Sequence, residues 1–391
     1  MAGARSTNTY FYLDGTEVKD SFGHTPGSAA GQTLGVDTIR EFSVVVSSFS
    51  AEFGGSGGVI SSVTKSGTNQ LHGSVFEYHR NSALDARNFF DRGDPPPFKR
   101  NQFGFTLGGP IQADKTFFFG SYEGLRERLS TTSIINSPSN DVRNGTFPIA
   151  VHPAVQRYID VMPVPNGRDN GDGSGEFIGT RSRPVDEDYF MVKVDNQFSD
   201  SDSLFVRYTL DDASRIQPRN YKEFFTEAET RSQYATIEYN KILSPTWLNT
   251  FRFGLNRSKG GDINRVQGLD ASYNVIDASD RIPPTLTTGT IAEWGGSNAA
   301  DRFSIVNVFQ FTDKLTYTQG RHSIRAGVDV YRYHLNGSNR PRLHGRMRFN
   351  SYEDFLEGRP RRLEFLFPGT GGMRGFRQTV PGFYIQDDFQ I

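Results

Sequence analysis

Asp188-Tyr189-Phe190-Met191-Val192-Lys193-Val194-Asp195-Asn196-Gln197-Phe198 is followed by Ser199-Asp200-Ser201-Asp202 and then by Ser203-Leu204-Phe205-Val206-Arg207-Tyr208-Thr209-Leu210. Successive strand side chains point to opposite faces. One face of the first run therefore carries Phe190, Val192, Val194 and Phe198, and the other Lys193, Asp195 and Gln197. The second run repeats this, with Leu204, Val206, Tyr208 and Leu210 opposite Ser203, Arg207 and Thr209. The four polar residues between them are a tight turn, so the unit is an antiparallel hairpin with one apolar and one charged face. A charge in a dry core is costly unless paired, so the second face meets water or a polar filling.

The same unit recurs along the chain. Arg231 to Ile242 turns through Leu243 to Thr246 into Trp247 to Asn256, and Phe303 to Tyr317 turns through Thr318 to Arg321 into His322 to Leu335. Phe251, Phe253 and Leu255 oppose Thr250, Arg252 and Asn256; Ile324, Ala326, Val328 and Val330 oppose Ser323, Arg325 and Asp329. Leu71 to Arg80, Asn101 to Ile111, Thr116 to Leu125 (entered through the turn Gln112 to Lys115) and Val380 to Ile391 bring the expected strands to ten. Between hairpins lie long polar segments, Asp211 to Thr230, Arg257 to Arg302 and Asn336 to Thr379. Compact soluble domains keep most connections short, whereas outer-membrane barrels alternate short turns on one rim with long loops on the other. The fold expected is all-β, a transmembrane antiparallel barrel with every short turn on the same rim. A sandwich with its charged face outside shares the alternation, which alone does not separate the two.

Composition agrees with the barrel. Only 35% of the 391 residues are hydrophobic, yet 13% are aromatic, among them 33 Phe and 16 Tyr. A barrel needs apolar side chains at every second position, plus aromatic girdles at its two interfaces. No run approaches the roughly 18 apolar residues of a spanning helix. A net charge of -1 argues against nucleic acid as a partner. Cysteine is absent, which removes disulfides and thiolate metal sites.

Residues 1–70 have a different texture, with short β runs at Tyr10 to Leu13, Phe42 to Phe49 and Val59 to Thr64 punctuated by glycine. Leu13-Asp14-Gly15, Ile39-Arg40-Glu41-Phe42-Ser43-Val44-Val45, Ser50-Ala51-Glu52-Phe53-Gly54 and Gly57-Gly58-Val59-Ile60-Ser61-Ser62-Val63-Thr64-Lys65 resemble the plug domain of TonB-dependent outer-membrane receptors. Ser66-Gly67-Thr68-Asn69, His72-Gly73-Ser74, Asn101-Gln102-Phe103-Gly104, Gly108-Gly109-Pro110-Ile111 and Phe117-Phe118-Phe119-Gly120-Ser121-Tyr122-Glu123-Gly124 are similar to the Oar-like branch of that family.

The resemblance implies a partial plug at 1–70 and the first strands of an incomplete barrel at 71–391. It implies a plug motif of Asp14, Gly15, Glu41, Gly54, Gly57, Gly58, Thr64 and Lys65. It further implies ligand-gated uptake of a substrate too large for porins, energised by the inner-membrane TonB complex through a segment outside this sequence, and an internal fragment of a longer receptor. A passive porin or adhesin barrel is the alternative, and would lack the plug. Size points to incompleteness independently. A 70-residue unit fills a sphere of roughly 14 Å radius, while a closed ten-stranded barrel has a backbone radius of only about 10 Å. An open sheet with unpaired edges is therefore expected.

Chemical motifs give no catalytic centre and no cofactor, so an enzyme is not expected. Gly54-Gly55-Ser56-Gly57-Gly58 matches the G-x-S-x-G elbow, but a strand, not a helix, follows at Val59. Asn170-Gly171-Asp172-Gly173-Ser174-Gly175 begins like a calcium loop, with Arg181 where the closing glutamate belongs. No two of the seven histidines lie three or four apart, which removes the helical metal pair, and no metal site is expected. Asp186-Glu187-Asp188 reads as rim charge where a strand meets its loop, with divalent bridging to lipopolysaccharide as a minor reading. The segment 336–379 carries nine arginines against four acids. Arg340, Arg342, Arg346, Arg348, Arg359, Arg361 and Arg362 form a candidate anion-binding loop, because guanidinium suits carboxylate and phosphate. Anionic lipid headgroups or an anionic ligand are its expected partners.

Overall fold

The computed structural model describes residues 9–21, 26–46, 50–53, 58–86, 95–276 and 278–390. Gly54, Ser56 and Gly57 of the sequence motifs lie outside them.

Four short strands open the chain: β1 (Tyr10–Leu13), β2 (Thr16–Glu17), β3 (Ile39–Val45) and β4 (Val59–Thr64). They form one mixed sheet in the order β2-β1-β4-β3, with β1 and β4 parallel. Ten long strands follow as a second, wholly antiparallel sheet, here called the wall: β5 (His72–Asn81), β6 (Phe98–Gln112), β7 (Thr116–Pro138), β8 (Ser174–Ser199), β9 (Asp202–Pro218), β10 (Phe224–Ser244), β11 (Trp247–Val266), β13 (Arg302–Gln319), β14 (His322–Asn339) and β17 (Arg374–Phe389). The connections carry β12 (Thr285–Thr287), β15 (Arg346–Arg348) and β16 (Arg362–Glu364), with helices α1 (Asn140–Asn144), α2 (Pro153–Val161) and α3 (Tyr352–Leu356). No helix among the described residues is long and apolar enough to cross a membrane, which says nothing of strands.

The ten wall strands are those expected from alternation, in sequence order, and the sheet is open. Among the described residues β5 and β17 pair on one side only. Three expectations fail. Arg257 to Arg302 and Asn336 to Thr379 are connections only in part, since β11 runs to Val266, β14 to Asn339 and β17 starts at Arg374. Asp211 to Thr230 is not a loop: β9 runs on to Pro218, β10 starts at Phe224, and five residues connect them. Asp186-Glu187-Asp188 lies within β8, not at its end. The cause is shared. Beyond the apolar zone both faces of a strand meet polar surroundings, so the strands continue through residues whose polarity reads as loop.

The wall's two faces differ as the hairpins require. On the outward face, Phe190, Val206, Phe251, Phe311, Phe383 and Ile385 remain exposed. On the inward face, Glu123, Lys193, Arg207, Thr209, Thr236, Asn256, Ser258, Gln310 and Thr312 are buried. A soluble sandwich buries an apolar face and exposes a polar one; this sheet exposes its apolar face and buries one in which polar side chains are mixed with Phe119, Leu125, Met191 and Val308. The apolar zone is nine residues long in each of three strands, with aromatic or leucine ends: Phe190 to Phe198, Trp247 to Leu255 and Phe309 to Tyr317. Nine residues is about the length with which a tilted strand crosses the hydrocarbon of a bilayer. The rings of Trp247 and Tyr317, 4.6 Å apart, mark its turn-side edge.

The long connections do not trail in solvent. Val155, Tyr158, Ile159, Tyr221, Leu286, Ile291, Trp294, Phe349, Tyr352, Phe355 and Leu356 pack into one core with the ends of β7 and β10. Trp294 is wholly buried, with the rings of Phe224 and Tyr158 edge-on at 4.8 and 5.2 Å. Arg143 closes the C-terminal end of α2 by donating to the carbonyls of Ile159 (2.7 Å), Met162 (3.1 Å) and Pro163 (3.0 Å). Burial pushes its guanidinium down from the ordinary arginine value. The loops form a cap on the rim opposite the short turns.

Candidate functional site

The first sheet sits on the polar face of the wall, and its anchoring begins with a two-residue turn. Leu13 and Thr16 pair, leaving Asp14 and Gly15 at the tip with φ of 45° and 74°. Positive φ at both tip residues is the hairpin geometry that Asp-Gly satisfies best. A side chain at Gly15 would also run into the Arg252 guanidinium, 2.2 Å from where its Cβ would stand. Asp14 is thereby aimed back at β4, accepting from Thr64 N (2.8 Å) and Thr64 Oγ1 (2.7 Å). The outer oxygen also faces Arg207 of β9, with Nη1 at 3.5 Å.

Arg207 is fully buried and binds three parts of the interface. Besides Asp14, it donates to Leu13 O (3.2 Å) and to Thr236 Oγ1 (2.6 Å), and Thr236 Oγ1 is 2.7 Å from Thr16 Oγ1. A buried guanidinium without partners would be heavily penalised, so the carboxylate of Asp14 and the wall's charge are mutually required.

Other contacts repeat the pattern across the wall. Glu17 N donates to Gln310 Oε1 (3.0 Å), and Gln310 Nε2 donates to Gly15 O (3.1 Å). Glu17 takes Lys19 at 2.8 Å and the Tyr333 hydroxyl at 3.0 Å. Lys19 O accepts from Asn256 Nδ2 and Ser258 Oγ. Gly35 N donates to Glu123 Oε2 at 2.8 Å, and Ala29 N to Thr230 Oγ1 at 2.8 Å. Lys314 reaches Glu52 at 3.3 Å. Beside these contacts a cleft of about 480 Å³ stays open between Glu17, Lys19, Tyr333, Val306, Leu335 and Phe376.

Of the plug-motif residues, Asp14, Gly15 and Thr64 meet in one node. Gly58, with φ of 133°, immediately precedes β4 and accepts from Tyr10 N, and Lys65 N donates to Thr38 O at 2.8 Å. Glu41 is not part of the node; it lies exposed on β3 and pairs with Arg40. Arg207 was read from the sequence only as a polar-face residue. Its partner lies 193 positions earlier, a separation that no local signal bridges.

The candidate anion-binding arginines are largely paired within the cap. Arg342, Arg348 and Arg362 surround Glu364 at 3.4, 4.0 and 2.9 Å, Arg346 approaches Glu293 at 3.7 Å, and Arg340 approaches Asp280 at 3.1 Å. Arg359 is held by Asp354 at 2.9 Å and by Glu357. Arg348, Arg361 and Arg362 line one cleft of about 390 Å³ with Thr287, Thr288 and Asn350. Among the described residues, Arg361 has only Asn350 as a side-chain partner, at 3.2 Å.

The family model described as outer membrane beta barrel domain matches residues 63–391. The TonB-dependent transporter Oar of Myxococcus xanthus is 31% identical over 154 residues, which is 37% of this chain and 14% of that protein. The crystal structure of the outer membrane transporter YddB from Escherichia coli superposes with a TM-score of 0.59 at 14% identity, covering 99% of this chain and 47% of YddB, a likeness of fold. The chain thus spans less than half the length of either relative.

Proposed function

This chain belongs to the outer membrane beta barrel domain family and is a protein of the bacterial outer membrane, and from that premise we propose that it serves a TonB-dependent receptor in ligand-gated uptake. Residues 1–70 act as plug and residues 71–391 as barrel wall. Uptake is energised by the inner-membrane TonB complex, and the substrate is too large for a passive pore. The observation that supports this most directly is the seating of the first sheet on the polar face through Asp14, Thr16, Glu17 and Lys19, while the opposite face is bare and apolar. A pore meant to stay open has no use for a folded unit bound to its lining.

The anchoring is mainly polar, with small apolar contacts where Leu34 packs on Phe119, Leu125 and Met191 and Ala29 on Ala213 and Ala228, which suits a unit that must be released. Hydrogen bonds and ion pairs exchange with water at modest net cost, about 1 kcal/mol for a typical bond, whereas separating a large apolar interface exposes its whole area. The cleft between Arg348, Arg361 and Arg362 in the cap is the proposed first contact for an anionic ligand.

Planar-bilayer conductance tests the reading. The full-length receptor is expected to be closed, and the same receptor lacking residues 9–64 to conduct. A receptor that conducts equally with and without those residues is a passive pore, and the uptake reading fails. The cysteine-free sequence allows a sharper arm, in which Thr16→Cys and Thr236→Cys are oxidised to tether the sheet. Growth that depends on the receptor should stop under oxidation and return with reductant.

A further inference from the structure

The connection between β2 and β3 lies over a patch of the wall's inward face just beyond the apolar zone. Ala29 packs on Ala213 and Ala228, and Leu34 on Leu125 and Tyr189. Glu187 sits under this cover, between Leu125 on β7 and Ala213 on β9, and is 0% exposed. Asp211 faces Tyr189, which makes it the diagonal neighbour of Glu187 on the same face, and it is 8% exposed. Diagonal side chains on paired strands come within reach of each other, and these two carboxyl groups are in hydrogen-bond contact. Among the described residues, neither oxygen of Glu187 has a donor in good geometry. The polar groups beside it are Asp211 and the Ser28 hydroxyl, whose oxygen accepts from Ala30 N at 3.1 Å.

The charges around the pair do not neutralise it. On β7, Glu123 is a third carboxylate, held by Gly35 N at 2.8 Å and by Gln102 Nε2 at 2.6 Å. On β9, Arg207 is engaged by Asp14, Leu13 and Thr236, while Asp212 points to the opposite face and pairs there with Arg231 at 3.3 Å. Arg215 is diagonal to Glu187 on the other side, yet the charges its guanidinium meets are Arg183 and Asp262. Tyr189 on β8 and Tyr234 on β10 are buried phenols, and Asp20 of the first sheet adds a further acid near Tyr234. The pair is thus closed off by β7 to β10 and the first sheet alone.

Two carboxylates buried in contact are not both ionised without a large penalty, and two acceptors bond only through a hydrogen. We propose that Glu187 and Asp211 hold one proton between them while the first sheet is seated and give it to solvent when the sheet leaves, so that rising pH loosens the plug. Burial raises both carboxyls, that of Glu187 to about 8 and that of Asp211 to about 7, and repulsion from Asp211 is the next cause at Glu187. Once the sheet has left, water reaches both groups and they return to the ordinary range of about 4. The seated state therefore binds the extra proton. Its stabilisation is complete below that ordinary range and is lost as pH rises through about 7 to about 8. An acid medium holds the pore shut.

The test uses the full-length receptor in detergent, with nitroxides at Ser43→Cys on β3 and Asp200→Cys in a wall turn, two exposed positions in a sequence without cysteine. Pulsed-EPR distances between them report release of the first sheet as urea is raised at each pH. The wild-type release constant should grow about tenfold per pH unit from pH 5 to pH 7, as loss of one proton requires, and level off above about pH 8. Glu187→Gln and Asp211→Asn each replace one acid by an amide donor that does not titrate, and each should cut the rise over that range to about threefold or less. His24→Gln, the histidine nearest Ser28 in sequence, and Arg215→Gln should keep the full rise. Heat-modifiable migration on gels confirms that each variant is folded. A wild-type release constant that ignores pH, an undiminished rise in both amide variants, or its loss in His24→Gln or Arg215→Gln would each overturn the proposal. The proposal rests on the first sheet being a releasable plug: a sheet that stays seated until the wall itself melts would overturn that reading and this one together, whereas release that ignores pH overturns this one only.

Discussion

Asp14 illustrates how much one short motif holds. Its backbone makes the turn, its carboxylate closes β1 onto β4 through Thr64, and the same carboxylate faces Arg207 of the wall. The first role was legible in Leu13-Asp14-Gly15, because an Asp-Gly turn is local, but the second was not, since Thr64 lies 50 positions on. The third was not, since Arg207 is distant in sequence and reads there as one polar residue among several. Removing one member of a buried pair leaves the other uncompensated, at a cost of about 3 kcal/mol or more. Arg207→Leu is therefore expected to release the first sheet at lower urea, read by limited proteolysis of the full-length receptor. Adding Asp14→Asn should recover part of the loss, through a coupling of roughly 0.5–3 kcal/mol. Strictly additive effects would mean that the two side chains do not act on each other.

The elements divide into those that periodicity reveals and those that it hides. Strands β8, β9, β11 and β14 were readable within their apolar zones, because Phe190, Val206, Phe253 and Val328 recur at every second position. Their outer extensions were hidden, because Asp186 and Asp212 on one face and Glu187 and Asp211 on the other resemble loop composition. The cap was hidden more deeply. Trp294, Tyr221, Phe355 and Leu356 come from separate connections, each with too few apolar residues to show a period, and they form a core only when brought together. Arg143 joins α1 to the end of α2, so Arg143→Ala strands several carbonyls. About 2 kcal/mol of the cap's stability should be lost. The chain has two tryptophans, Trp294 in the cap and Trp247 on the wall, so a Trp247→Phe background reports the cap and a Trp294→Phe background the wall. The urea midpoint should fall in the first and hold in the second; an equal fall in both would make cap and wall one cooperative unit.

At the scale of the whole molecule, the two sheets make sense only together. A wall whose inward face carries Lys193, Arg207 and Gln310 cannot be dry without a polar partner, and the first sheet supplies that partner. An outward face carrying Phe251, Phe311 and Phe383 exposes a larger apolar surface than a water-soluble monomer ordinarily does, and hydrocarbon supplies that one. Alternation in single strands separated the two faces but not which of them turns outward, which the seating of the first sheet on the polar face decides. The position of the membrane boundary was not legible there either, because it emerges only when Asp188, Arg231 and Lys259 are aligned by register across the sheet.

Nitroxide scanning of residues 190 to 195, one cysteine at a time, in the receptor reconstituted in lipid bilayers examines that arrangement most directly. Collisions with molecular oxygen should be high at 190, 192 and 194 and low at 191, 193 and 195, giving a period of two with its maxima in hydrocarbon. A flat profile, or maxima at the odd positions, would show that the apolar face is not turned to lipid or that nothing covers the other, and the account would be wrong.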